Sequence, residues 1–192
     1  MYTFLTLVLF SFALTNTYTV VPESSSIEWI GSKVTGSHNG FISLTSGTVT
    51  MKDNKIKKSE LFVDMNSITN IDINSEGSRN YLVKHLKGED FFDVENFPSS
   101  HIAFIQFNED STSTSLTCDI TIKGITNRVE FPVEIALENE TAVAKGSVVV
   151  DRTKHNIKYK SKTFFKEIGD KFIYDEFTLN FSVFAKLDKS EQ

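Results

Sequence analysis

Between residues 113 and 151 the chain alternates apolar and polar side chains almost without a slip. Leu116, Cys118, Ile120 and Ile122 oppose Thr117, Asp119 and Thr121. Val129, Phe131, Val133, Ile135 and Leu137 oppose Arg128, Glu130, Pro132, Glu134 and Ala136. A period of two gives a strand one dry and one wet face. The same reading places strands at 41–51, 55–65, 101–108, 113–122, 127–137, 141–151 and 177–186, with one more around Ile27, Trp29 and Gly31. About eight strands joined mostly by short turns exclude a parallel α/β sheet and leave a sandwich or an up-and-down barrel.

Breaks in this pattern are as informative as the pattern. Asp53-Asn54 reads as a turn and Ser46-Gly47 as a bulge or kink. Over 79–87 the period becomes helical, with Leu82, Val83 and Leu86 on one side and Ser78 as the expected cap. Phe91 and Phe92 follow between acidic groups. Burying one such ring is worth roughly 1.5–3 kcal/mol, so at least one is expected to close over an apolar interior. The inward set of 141–151 is Ala142, Ala144, Gly146, Val148 and Val150, all small. Either these residues border a hollow, or bulky Phe from opposite strands fills the space above them.

Composition narrows the functions. Seventeen Phe against 5 Tyr and 1 Trp make a dry interior, because Phe carries no polar handle. A net charge of −5 argues against a nucleic-acid partner. One cysteine, Cys118, allows no internal disulfide, and its apolar strand face makes it inert core. Residues 4–14 are mostly apolar and too short to span a bilayer, so residues 1–17 are expected to be a removed export signal and 18–188 the mature domain. An exported, periplasmic protein without stable membrane insertion follows from that expectation. The alternative is a buried first strand.

Catalytic motifs are absent: there is no G-x-S-x-G, H-E-x-x-H, P-loop or G-x-G-x-x-G. The four histidines have no pair at metal-ligand spacing on one element, so no metal is expected. The string Asp72-Ile73-Asn74-Ser75-Glu76-Gly77 mimics an EF-hand opening, but position 12 would be Val83 where a glutamate is required. Arg152, ending an apolar strand, is either a forked donor to an anionic head group or a rim salt bridge.

Four strings together resemble the YceI family of lipocalin-like, polyisoprenoid-binding periplasmic proteins. They are W-I-G-S-K-V-T-G-S-H-N-G (29–40), K-H-L-K-G-E-D-F-F-D-V-E-N-F-P (84–98), L-T-C-D-I-T-I-K-G-I-T (116–126) and V-D-R-T-K-H-N-I-K-Y (150–159). The resemblance runs from residue 18 to about 186. It implies an all-β fold, an eight-stranded antiparallel lipocalin-like barrel with one short helix inserted, whose tunnel binds a long-chain isoprenoid or related lipid. Trp29, His38, Gly40, Leu86, Phe91, Phe92, Pro98, Gly124 and Arg152 match the family's recurring positions, most of them as fold determinants. Cys118-Asp119 departs from the family pattern and puts a turn there in question.

On this basis the expected tunnel wall is Trp29, Leu61, Val63, Phe91, Phe92, Phe104, Ile120, Phe131, Val133, Val148, Leu179 and Phe181. His38 and Arg152 are expected to meet the lipid head group. The expected function is non-catalytic transport or storage of the lipid, with no other cofactor. Alternatives are a ligand-free structural or stress-response barrel and a small lipid-acting enzyme. Pairing of two barrels into a homodimer is left open.

Overall fold

Two-residue reversals make four of the eight connections between successive strands in the computed structural model, which describes residues 15–189. Asp53 and Asn54 turn at φ 53° and 60°, and Lys123 and Gly124 at 50° and 72°. Such left-handed pairs match the twist of the flanking strands, so each strand returns beside its predecessor. The strands are β1 (Thr15–Val20), β2 (Ser26–Lys33), β3 (Gly36–Lys52), β4 (Lys55–Asp64), β5 (Ser99–Glu109), β6 (Thr114–Ile122), β7 (Ile125–Glu138), β8 (Thr141–Asp151) and β9 (Ile173–Leu187). One helix, α1 (Glu76–Lys87), lies between β4 and β5.

All pairings are antiparallel, and β3–β4 contact closes the ring. Nine strands make eight staves. β1 and β2 both pair with β3 and β9, β1 opposite Thr48–Lys52 and β2 opposite Gly36–Ile42. They are one stave broken by a 3-10 turn at Pro22–Ser24. The barrel is therefore the expected eight-membered one, but its first stave begins earlier than periodicity indicates. Thr15–Thr17, the end of the expected leader, pair with β3; residues 1–14 of that leader lie outside the described residues. No helix among the described residues is long and apolar enough to cross a membrane.

Other expectations shift in detail. The register slips between Leu44 and Ser46, where the Ser46-Gly47 kink is expected. The helix starts at Glu76, and Ser75, not Ser78, is its cap, accepting from the Ser78 amide at 3.5 Å. Its first turn carries no apolar residue, so apolar spacing does not register it. Cys118-Asp119 is no turn: both sit in mid-strand, opposite Val129 and Arg128. Asp119 takes two hydrogen bonds from Arg128 at 2.8 and 2.9 Å.

The small face of β8 is filled rather than hollow at its centre. A Cβ on Gly146 would lie 2.7 Å from the Phe181 ring and 2.6 Å from the Pro132 carbonyl oxygen. Phe181 is the cross-strand partner of Gly146, and Phe131 meets its ring edge-on at 5.6 Å. Gly47 and its partner Leu61 repeat the arrangement on the other side, with a Cβ 2.6 Å from Leu61 Cδ2. Glycine beneath a bulky partner packs one half of the barrel densely.

Candidate functional site

The other half is open. A cavity of about 390 Å³ lies between the barrel wall and a cap made from residues 65–98. Ile27, Trp29, Ile42, Val63, Ile102, Ile120, Ile122, Phe177 and Leu179 come from the strands. Met65, Ile68, Ile73, Leu82, Leu86, Phe91 and Phe92 come from the cap. The lining is predominantly apolar, so it excludes water and favours hydrocarbon.

The cap is held by backbone geometry. Residues 68–71 form a strap against β3: the Thr69 and Ile71 amides donate to the Phe41 and Asn39 carbonyls at 2.9 and 3.1 Å. Gly40 makes room for it, since a Cβ there would meet the Thr69 carbonyl at 1.9 Å. Trp29 Nε1 donates to that same carbonyl at 2.9 Å, which fixes the indole against the wall. After α1 the chain folds back on the helix end, with the Phe92 and Val94 amides bonded to Leu86 and Lys87. Phe97 rests on the Gly124 turn, and the Lys123 ammonium reaches the Glu89 carbonyl at 3.1 Å.

Phe91 is buried against His85 and Tyr159, at 5.0 and 5.5 Å between ring centroids, and Phe92 meets Phe177 edge-on at 6.1 Å. Both rings border the cavity. Behind them, His85 Nε2 is buried with no hydrogen-bond partner.

Ser32, Lys33 and His38 from the β2–β3 hairpin, Ser78 and Tyr81 from α1, and Tyr174 and Glu176 from β9 supply the polar part of the lining. Tyr81 and Tyr174 are exposed, so this is the side that faces solvent. His38 Nδ1 and Asp72 Oδ2 are 2.7 Å apart, and the Asn39 amide donates to Asp72 Oδ1 at 3.0 Å. Burial pushes the Asp72 carboxyl up, but hydrogen bonds from His38, Asn39 and Asn70 outweigh it and hold it below the usual range.

Arg152 also borders the cavity, but its fork is turned to the protein. It is 4% exposed and donates to the carbonyls of Tyr174, Ile157 and Ile173 at 3.0, 2.9 and 2.9 Å, with Asp175 at 3.4 Å. Burial lowers its guanidinium from the ordinary arginine value, against the pull of Asp175 and Asp151. Its geometry is that of a clamp on the start of β9, completed by an ion pair with part-exposed Asp175.

Of the expected wall, Trp29, Val63, Phe91, Phe92, Ile120 and Leu179 line the cavity. Leu61, Phe104, Phe131, Val133, Val148 and Phe181 do not, and lie in the core or packed against it. Met65, Ile68, Ile73, Leu82 and Leu86 of the cap line the cavity but are not in the expected wall, because period-two reading assigns only strand faces. Leu82 and Leu86 carried a usable signal in their helical spacing.

Burial, with Asp119 beside it, pushes the Cys118 thiol up to about 11, and a thiol so placed is a poor nucleophile. Among the described residues no group of three His, Cys, Asp or Glu is placed to hold a metal.

A YceI-like domain model matches residues 18–185. Among solved structures, Burkholderia cenocepacia BcnA aligns with TM-score 0.69 at 18% identity, over 87% of this chain and 99% of its own. A polyisoprenoid binding domain from Saccharophagus degradans, implicated in plant cell wall breakdown, aligns with TM-score 0.61 at 10% identity, over 89% and 98%. The Campylobacter jejuni YCEI protein aligns with TM-score 0.53 at 15% identity, over 98% and 92%. No curated protein matches the sequence.

Proposed function

The chain belongs to the YceI-like domain family, and from that premise we propose that its capped cavity holds the hydrocarbon chain of an isoprenoid or related lipid, carried or stored without chemical change. The observation that carries this reading is the apolar hollow of about 390 Å³ beneath Phe91 and Phe92. Each buried methylene contributes about 0.8 kcal/mol, so affinity for a chain needs no special chemistry. The polyisoprenoid-binding description of the Saccharophagus degradans domain supports the same ligand class.

The polar head sits at the solvent side, among Lys33, His38, Tyr81, Tyr174 and Glu176. Arg152 is left out of head-group contact because its donors are engaged inside the fold. On the same reading the leader directs export, and the barrel works in the periplasm on lipid drawn from a membrane. The dense lower half supports a second reading, a ligand-free structural barrel.

One experiment separates the two. Native mass spectrometry of protein purified from its own host is expected to show a co-purifying lipid mass. Trp29, the single tryptophan, lies on the cavity wall, and its emission is expected to shift as lipid is titrated into stripped protein. Clean protein whose emission ignores every lipid offered would leave the structural barrel standing.

A further inference from the structure

The cavity has a floor, and six strands agree on its height. Along the inward faces the lining stops at Leu179 on β9, Ile120 on β6, Ile102 on β5, Val63 on β4, Ile42 on β3 and Ile27 on β2. The next inward residues on β9, β6, β5 and β4 are Phe181, Cys118, Phe104 and Leu61, all within or packed against the core. Phe181 and Leu61 lie close against their glycine partners, Gly146 and Gly47, where a Cβ would come within 2.7 and 2.6 Å of their side chains.

We infer that the cavity measures chain length: one prenyl or alkyl chain enters as far as the layer of Phe181, Cys118, Phe104 and Leu61, and Phe181 laid over Gly146 is the stop. The inference rests on the lipid-binding reading above. Longer chains enter only in part, and their excess stays outside the mouth in contact with water.

The test is a binding series of 1-alkanols from C8 to C18 on the full chain, read by Trp29 emission, with geraniol, farnesol and geranylgeraniol beside it. Affinity is expected to rise about fourfold per carbon while the cavity fills, then to level off once the chain end reaches the Phe181 layer. In Phe181→Ala and the milder Phe181→Leu, the break is expected to move to longer chains. Affinity that keeps climbing to C18 in the unaltered protein overturns the stop, as does a break that stays put in a folded Phe181 variant. Failure to bind any alkanol or prenol would overturn the lipid reading itself, a different result from either of these.

Discussion

Arg152 is the residue whose role changes most between sequence and structure. In sequence it is a lone cation ending an apolar strand; in the fold it ties Ile157, Ile173 and Tyr174 together. Truncating a buried, hydrogen-bonded charge leaves its partners unsatisfied, so Arg152→Ala is expected to lose about 3–5 kcal/mol in urea unfolding. Arg152→Lys is expected to recover only part, because one ammonium cannot span a fork of three carbonyls. If Arg152→Ala instead unfolds like the unaltered protein but binds lipid poorly, the clamp is refuted.

His155 is the second residue to watch. It is 1% exposed, with Nδ1 donating to the Ile125 carbonyl at 2.9 Å. Burial holds its pKa below the ordinary 6.5, against the Ile125 and Ile122 carbonyls and Asp151. The unfolded chain therefore takes up the proton more readily than the folded one. Its contribution to stability is complete above about pH 6.5 and declines as the solution is acidified through that value toward the folded pKa. Unfolding midpoints at pH 8 and pH 5.5 are expected to differ more for the unaltered protein than for His155→Gln. Equal differences would remove His155 from the acid response.

At the scale of elements, the strap over Gly40 closes one side of the cavity. Without it residues 68–71 lose their backbone bonds to β3, and the apolar ends of β2 and β3 face water. Gly40→Ala drives a methyl group into the Thr69 backbone, where a flexible side chain cannot yield. Loss of about 1–3 kcal/mol is expected from such overpacking, together with a Trp29 emission shifted toward that of a wet indole. Unchanged stability and emission would mean the strap is not held there. The strings around Gly40, Phe91 and Phe92 are visible in the sequence as a resemblance, and the two rings as a lid. The strap is not, because close approach of two backbones leaves no mark in side-chain polarity.

At the scale of the molecule the barrel is two things stacked: a packed half, and a hollow half under a cap made of one helix and irregular chain. Closure leaves the eight staves with partners on both sides, which removes exposed edges. The cap, joined to the barrel through fewer backbone bonds, is the part free to open. Hydrogen exchange is expected to be slowest in β6 to β9, and lipid is expected to slow amides of 65–98 far more than those of the packed half. Equal slowing throughout would show that no separate cap opens.

Alternation of side chains by itself determined the class of fold, the hairpin turns and which face of most strands is dry, because a period of two maps directly onto the pleat. It could not say which inward residues meet each other across the barrel. Trp29 and Phe181 read alike in sequence, yet one borders a cavity and the other fills one. What separates them is the depth at which each lies along the barrel and the glycine that Phe181 faces. Depth follows from strand register and stave tilt, which depend on contacts between residues far apart in the chain, so only the tertiary structure decided where the hollow stops.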